Sequence, residues 1–317
     1  MNKTLAFNGS RKDFWTDEDY HLYRPIMFII LGIGFIGNVL TIIVFLLKQN
    51  RCKVITPFFI NLAIANLFIT VFGYPVAINV NLTRERLLEG TVACTWYGFV
   101  NGSVGIASIV MLTEISVVMW YNMTSLFVLD NIPLKYKVAL LTCPWLYGIL
   151  VMTPPLFGWN RFIPGSSGIS CCPDWRSNDQ RTLIYNILLV ILGFLLPLVV
   201  ICISYIKIYR FFSREISNNN FSQDKRRQSQ IRVTRVIVAS IVAFVVSWSP
   251  YCVISLAAMF SHRHVLKPGE AEIPDLLAKS SVIYNPIIYT LLSRQFRENL
   301  TSILFKRCRR KNYVTKG

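Results

Sequence analysis

One lysine of this chain lies where a membrane-type helix would normally carry no charge. Lys279 is the only charged residue between Leu276 and Leu292, a run that is otherwise apolar, small or neutral. A charge inside an apolar helix is costly and is a functional candidate by default. Desolvation favours the neutral amine, which is the form that condenses with an aldehyde. Lys279 is therefore a candidate for covalent attachment, and the alternative is a lysine that snorkels or pairs with an acid.

Three acidic residues are candidate partners for this lysine. Asp275 lies four residues before Lys279, on the same helix face, and the lysine stem leans towards it. Glu272 is a heptad before Lys279, and we expect it to lie further out and in contact with water. Glu114 is excluded, because it lies about 30 Å down the third block from Cys94 at ~1.5 Å per residue and cannot reach Lys279. Asp275 is the candidate partner, and the alternative is an exposed acid at the mouth of its helix.

The composition identifies an integral membrane protein. Of the 317 residues, 53% are hydrophobic and only 15% are charged, whereas a soluble domain carries about 25% charged residues. The apolar residues fall into blocks long enough to cross a hydrocarbon core of roughly 30 Å. The seven blocks cover 25–47, 55–80, 91–119, 138–157, 183–212, 233–260 and 273–292. Because lipid cannot satisfy an open backbone, these blocks predict an all-α bundle of seven transmembrane helices.

The basic residues predict how the chain is oriented. The formal net charge is +17, and lysine and arginine concentrate in the first and fifth connections and in the carboxy-terminal tail. The positive-inside bias places the amino terminus outside and the carboxy terminus inside. The first 24 residues are polar and carry glycosylation sequons at Asn2 and Asn8. The charge suits anionic lipid and an acidic protein partner, and it gives no reason to invoke nucleic acid.

The cysteines and histidines have no spacing that resembles a metal site. Only Cys94, at the outer start of the third block, and Cys171 or Cys172 share the oxidising side of the membrane. A bridge between them would tie the long loop between the fourth and fifth blocks over the bundle.

Short motifs along nearly the whole chain resemble those of the rhodopsin-like G-protein-coupled receptors. They are Gly37-Asn38, "NLAIANL" in the second block, Trp145, Pro197 with Tyr205, "SWSPY" at 247–251 and "NPIIY" at 285–289. Prolines within such helices create kinks at which the helices can pivot. The resemblance also implies a short amphipathic eighth helix in "SRQFREN". The expected organisation is an extracellular glycosylated tail (1–24), the seven-helix bundle (25–292), the amphipathic helix (293–306) and a basic cytoplasmic tail (307–317).

Within that family the chain resembles the animal opsins. The segment "PLFGWNRFIPGSSGISCCPDW" is similar to the opsin loop that covers the retinal pocket, and "VTRVIVASIVAFVVSWSPY" is similar to opsin helix six. The resemblance implies a disulfide between Cys94 and Cys171. It also assigns Lys279, six residues before Asn285, as the site that holds retinal as a Schiff base. Retinal would be the 11-cis isomer in the dark and all-trans after light.

The resemblance further implies a retinal pocket and an activation switch. The pocket residues carried over are Gly102, Gly105, Ile106, Trp175, Leu189, Phe194, Trp248, Tyr251 and Cys252. Trp248 would be the trigger and Pro250 the hinge. The switch residues at the inner end would be Tyr205, Asn285, Pro286 and Tyr289.

The chain departs from the opsin pattern at the counterion of the Schiff base. Opsins carry a glutamate three residues after the helix-three cysteine or in the lid loop, and these positions are Tyr97 and Gly165 here. A buried cation without a partner is very costly. Asp275 is the candidate counterion, and the alternatives are a bound chloride ion or a deprotonated Schiff base that absorbs in the ultraviolet. The missing carboxylates suggest an invertebrate-type opsin, for example from cnidarians.

The chain also departs from the family at the inner end of helix three. The usual acid, arginine and aromatic are Val118, Met119 and Trp120, and the acid expected in helix six is Gln230. Helix two carries Asn66 where the family has an aspartate. Losing this charged lock predicts either raised basal activity or weak coupling to a G protein.

These observations predict a light-sensing receptor of the plasma membrane, and not an enzyme. The resemblance implies a heterotrimeric G protein and arrestin as partners, within membrane lipid, and it allows a homodimer. The alternatives are a photoisomerase-like opsin that releases retinal and a receptor of the same fold for a diffusible ligand. A light-driven ion pump is disfavoured, because no string of carboxylates leads inward from Lys279.

Overall fold

A computed structural model describes residues 17–47, 55–124, 133–217, 225–262 and 265–311. The predicted glycosylation sites at Asn2 and Asn8 lie outside these ranges. Within the described residues, six helices are long and apolar enough to cross a membrane, and a shorter apolar helix covers Ser281–Leu292. Together they form the predicted bundle of seven helices.

The helices follow the apolar blocks, with several ends displaced. Their bounds are α1 Asp17–Leu46, α2 Thr56–Thr83, α3 Val92–Thr124, α4 Leu134–Met152, α5 Gln180–Ser217, α6 Lys225–Ser261, α7 in two segments (Pro268–Lys279 and Ser281–Leu292) and α8 Arg294–Lys311. A π-helical turn interrupts α2 at Ile69–Gly73 and α5 at Ile191–Leu195. Helices α1, α3 and α6 extend past the apolar blocks that predicted them, because polar residues continue each helix beyond its apolar part.

Helix α7 is broken next to the lysine. The amide of Ile283 donates to the carbonyl of Ser280 at 3.0 Å, so the Lys279 carbonyl is left without its usual helical donor. The hydroxyl of Tyr74 in α2 donates to that carbonyl at 2.9 Å. The buried Tyr74 side chain thereby satisfies the carbonyl that the break leaves free. Lys279 is the last residue of the first segment of α7.

A short hairpin covers one end of the bundle. Strands β1 (Phe162–Pro164) and β2 (Cys171–Pro173) pair antiparallel, with Ile163 opposite Cys172. A disulfide joins Cys171 to Cys94 at the start of α3, as the opsin resemblance implied. The connecting turn requires Gly168, whose φ is +74° and whose amide donates to the Gly165 carbonyl at 3.0 Å. We call residues 162–176 the lid; it is tied covalently to the bundle.

A buried polar cluster fixes how α1, α2 and α7 pack. Asn38 donates to the Val282 carbonyl at 2.9 Å and accepts from Asn66 at 3.1 Å. A β-carbon on Gly37 would lie 2.9 Å from Pro286, so glycine allows α1 and α7 to approach closely. These contacts position α7, and with it Lys279, relative to the two preceding helices.

Candidate functional site

One cavity of about 240 Å³ lies beneath the lid, and its wall is mainly apolar. The residues carried over from the opsin pocket all line it, together with Lys279 and Asp275: Gly102, Gly105, Ile106, Trp175, Leu189, Phe194, Trp248, Tyr251 and Cys252. They come from α3, the lid, α5 and α6. Residues predicted from separate parts of the chain therefore surround a single space.

Lys279 is buried, with 5% of its surface exposed. Its Nζ forms an ion pair with Asp275 and donates a hydrogen bond to the hydroxyl of Tyr23 in α1 at 2.8 Å. The ion pair joins residues four apart on one helix face, which is the spacing that predicted it. A carboxylate and a hydroxyl thus offset the cost of burying the ammonium group.

Tyr97 stands where many opsins carry a counterion glutamate, and its ring faces the same ammonium group. The Lys279 Nζ lies 5.4 Å from the centre of the Tyr97 ring. A cation within about 6 Å of an aromatic ring is attracted by the negative face of the π-system. The helix-three carboxylate is replaced by an aromatic face that favours a positive charge without adding a negative one.

The expectation that Glu272 contacts water is wrong. Only 3% of Glu272 is exposed, because the turn of the lid folds over it. Its Oε1 accepts hydrogen bonds from the hydroxyls of Ser167 and Ser170, the second at 3.2 Å. The same oxygen is 3.9 Å from where a β-carbon on Gly165 would lie. Glu272 therefore brings a carboxylate close to the lid position at which some opsins carry a glutamate.

The width of the cavity depends on glycines in α3. A β-carbon on Gly105 would lie 2.7 Å from the Trp248 ring, and one on Gly102 would overlap Met152. Trp248 stacks on Phe244 at 5.6 Å and meets Tyr251 edge-on at 6.0 Å. These aromatic rings form the wall opposite α3, and a larger residue at either glycine would narrow the cavity.

The lid contributes Cys172, which is not in the disulfide. Burial raises the pKa of the Cys172 thiol to about 12, so the thiol stays protonated at neutral pH. A thiol is a much weaker nucleophile than a thiolate. Cys172 therefore offers little competition to Lys279 for an aldehyde in this cavity.

The opposite end of the bundle, which we call the Trp120 end, is held by apolar packing, a cation–π contact and a hydrogen bond. Val118 and Met119 are buried in apolar surroundings, and Lys207 of α5 places its Nζ 3.9 Å from the centre of the Trp120 ring. Gln230 of α6 donates to the Asn122 carbonyl of α3 at 3.1 Å. No carboxylate–arginine pair joins α3 to α6 among the residues that the structure describes.

The residues proposed for the activation switch lie in α5, α6 and α7. Tyr289 is fully buried and packs against Phe45, Phe59 and Phe296, so it ties α7 to α1, α2 and α8. Asn285 and Pro286 are one turn before it, and Tyr205 lies in α5. Pro250 follows Trp248 by two residues within α6. All five residues belong to helices that also contribute to the cavity wall.

Sequence reasoning missed three contributors to the site. Tyr23 and Tyr74 reach Lys279 from α1 and α2, and neither carries a motif that marks it. The third is Glu272. The serines of the lid turn, which can donate hydrogen bonds to a carboxylate, were the sequence signal that could have predicted its position. Glu114, which remained unexplained by the sequence, has a buried Oε2 with no hydrogen-bond partner in the described part of the chain.

Comparison with known proteins identifies the family of this chain. Residues 37–289 match the family described as "7 transmembrane receptor (rhodopsin family)". A Gq-coupled rhodopsin of Mizuhopecten yessoensis is 32% identical over 297 residues, which cover 89% of this chain and 59% of the relative. A melanopsin of Rutilus rutilus is 31% identical over 289 residues, covering 89% and 58%. The chain thus spans about three fifths of the length of these curated relatives.

The fold is similar to that of a solved opsin. The crystal structure of squid rhodopsin superposes with a TM-score of 0.81 at 26% sequence identity, covering 92% of this chain and 87% of that chain.

Proposed function

Because this chain belongs to the rhodopsin family of seven-transmembrane receptors and is an animal opsin, we propose that it is a light-sensing receptor that binds retinal covalently through Lys279. One observation carries the proposal: the single ammonium group of Lys279, ion-paired to Asp275, lies in the apolar cavity under the lid. A polyene aldehyde matches both features, because it needs one amine and otherwise apolar surface.

The attachment chemistry uses the groups around Lys279. Lys279 would hold the aldehyde: its amine would form a C=N bond, and the carbonyl oxygen would leave as water with two of the ammonium hydrogens. The third hydrogen would stay on the nitrogen, so the positive charge would be retained. Bound retinal supplies a chromophore that light converts from the 11-cis to the all-trans isomer. Asp275 neutralises the charge, and Tyr23 and Tyr97 hold the nitrogen beside it.

The rest of the bundle would carry the signal. Trp248 lies against Gly105 in the cavity wall, and a change of shape in the cavity would displace it. Pro250 leaves a carbonyl of α6 without a helical donor, so the helix can bend there. Tyr205, Asn285, Pro286 and Tyr289 would rearrange next. In this proposal the cavity end faces outside the plasma membrane and the basic Trp120 end faces the cytoplasm.

The partners follow from the family and from charge. A heterotrimeric G protein would dock at the Trp120 end, and arrestin would compete for the same face. The Mizuhopecten yessoensis relative is named as Gq-coupled, so the Gq class is the first to test. The basic residues of that end suit anionic lipid.

The decisive test is an absorption spectrum of the purified full chain reconstituted with 11-cis-retinal. We expect a bound chromophore that changes on illumination and is absent in Lys279→Ala. Lys267→Ala is the matched control, because Lys267 is exposed at the start of α7. A wild-type protein that binds no retinal, or a chromophore that survives Lys279→Ala, would overturn the proposal and favour a receptor for a diffusible ligand.

The counterion is tested by Asp275→Asn in buffers with and without chloride. A protonated Schiff base absorbs in the visible, and losing its anion makes it release the proton more easily. We therefore expect Asp275→Asn to move the loss of the visible band to lower pH by about 1–3 units. A wild-type band that ignores Asp275→Asn but follows the chloride concentration would assign the role to a bound chloride ion.

A second candidate is a photoisomerase-like opsin that releases all-trans-retinal and couples weakly to a G protein. The observation that favours it is the neutral set Val118, Met119 and Trp120 where the family carries an acid, an arginine and an aromatic residue. Nucleotide exchange on a purified Gq heterotrimer, measured in darkness and in light, separates the two. Light-dependent exchange supports the receptor; retinal release without exchange supports the photoisomerase.

A further inference from the structure

Glu272 is a second buried carboxylate beside the lysine, and the proposed function does not use it. It lies three residues before Asp275 in the first segment of α7, so both side chains project from one side of the helix. Both line the cavity that contains Lys279. The lid holds Glu272 from above through Ser167 and Ser170. Glu272 is therefore positioned both by α7, which carries it, and by the lid.

The charges around Lys279 do not balance if both carboxyls are ionised. Two like charges close together in a low-dielectric site cannot both ionise readily, and one of them keeps a proton. Lys279 supplies one positive charge, which Asp275 already neutralises. A second negative charge on Glu272 would be left over in a buried site.

The hydrogen bonds of Glu272 point to the same conclusion. Its Oε1 accepts from the two serine hydroxyls, whereas its buried Oε2 faces no hydrogen-bond donor among the residues the structure describes. Asp275, three residues further along the same side of α7, lines the same cavity. A proton on the Glu272 carboxyl would turn an acceptor without a donor into a donor to Asp275.

We propose that Glu272 and Asp275 form a carboxyl pair that holds one proton, with Asp275 ionised towards Lys279 and Glu272 protonated and positioned by the lid. The inference rests on the proposed function wherever it concerns the Schiff base. Glu272 is a positioning residue: it fixes the Asp275 carboxylate and links the lid to the segment that bears the lysine. When Asp275 is neutral, Glu272 becomes the anion that remains near the Schiff base.

Other groups that could exchange a proton with the pair surround the same cavity. They are Tyr23 of α1, Tyr74 of α2, Tyr97 of α3, Cys172 and Arg176 of the lid, Tyr251 of α6 and Lys279 itself. The tyrosine hydroxyls and the thiol are much weaker acids than a carboxyl group. Arg176 is always protonated, so it adds a fixed charge near the lid. The carboxyl pair is thus where a proton is most readily gained or lost.

The first test compares four pigments in chloride-free buffer: wild type, Glu272→Gln, Asp275→Asn and the double variant. The measurement is the pH at which the visible band is lost. We expect the highest value in wild type, a small decrease in Glu272→Gln, a decrease of about 1–3 units in Asp275→Asn and a further decrease of about one unit in the double variant. Glu270→Gln, an exposed acid of the same segment, is the matched control.

Two outcomes of this titration would overturn the inference. Equal titrations of Asp275→Asn and the double variant would show that Glu272 is no reserve anion. An effect of Glu272→Gln as large as that of Asp275→Asn would show that Glu272 is already ionised in wild type. If the wild type binds no retinal at all, the proposed function fails. A second measurement then tests whether Glu272 and Asp275 share one proton.

That second measurement is the infrared spectrum of the retinal-free protein, in which the Lys279 ammonium supplies the positive charge. We expect a carbonyl stretching band of a protonated carboxylic acid in wild type that is absent in Glu272→Gln and shifted in Ser167→Ala. A spectrum in which Glu272→Gln removes no such band overturns the pair whether or not the protein binds retinal.

Discussion

The cavity end and the Trp120 end of this bundle differ in the charged residues that they contain. The cavity end buries the ammonium group of Lys279 and the carboxyl of Glu272, beside the partly exposed carboxylate of Asp275. At the Trp120 end, Met119 and Gln230 occupy the places where the family carries an arginine and an acid. Opposite charges thus meet beside Lys279, whereas no carboxylate–arginine pair joins α3 to α6 in the described part of the chain.

The contacts that restrain the two ends also differ in strength, and the cavity end is held more firmly than the Trp120 end. At the cavity end a disulfide ties the lid to α3, and removing such a bridge costs about 2–5 kcal/mol. A hydrogen bond such as Gln230 to the Asn122 carbonyl is worth about 0.5–1.5 kcal/mol, and a cation–π contact such as Lys207 on Trp120 about 0.5–2 kcal/mol. We therefore expect movement started at the cavity to appear mainly at the Trp120 end, where less free energy opposes it.

The largest effect should come from the disulfide that holds the lid at the cavity end. We expect Cys171→Ser to lower the free energy of unfolding by about 2–5 kcal/mol, because the bridge closes a long loop. Cys172→Ser is the matched control, since Cys172 is the next residue and is not in the bridge. Thermal unfolding in detergent measures both. Equal loss of stability in the two variants would mean that the lid is held by packing and not by the covalent bond.

The two ends also differ in how well the sequence predicted them. Lys279 and Asp275 were found because helical spacing alone brings them together, and the lid because its residues match a known loop. The positions of Tyr23 and Tyr74 depend on how closely α1 and α2 approach the break in α7, which no local pattern encodes. Glu272 was placed in water because its depth was judged along α7 only, without the lid that covers it.

At the Trp120 end the sequence showed what is missing but not what replaces it. The absence of the usual charges could be read directly from Met119 and Gln230. The contacts between Lys207 and Trp120 and between Gln230 and the Asn122 carbonyl join different helices. Contacts of this kind depend on helix rotation and on side-chain rotamers, so they required coordinates.

An intermediate effect should come from Tyr97, which tests whether an aromatic face supports the cation at the cavity end. In Tyr97→Leu the ring is lost, and we expect the visible band of the pigment to disappear at a pH lower by about one unit or less. Tyr97→Phe keeps the ring and should shift less. Equal shifts in both variants would assign the effect to the Tyr97 hydroxyl, and the cation–π explanation would then fail.

The smallest effect should come from Gln230, which tests how loosely the Trp120 end is held. Gln230→Ala removes the hydrogen bond between α6 and α3, worth about 1 kcal/mol, so dark nucleotide exchange on the Gq heterotrimer should rise about fivefold or less. Gln230→Glu should raise it further, because a carboxylate would face the Asn122 carbonyl without a proton to donate. Gln228→Ala, an exposed glutamine of the same helix, is the control. Dark exchange that is unchanged in Gln230→Ala would mean that this hydrogen bond does not restrain α6, and the contrast between the two ends would then rest on the contact of Lys207 with Trp120.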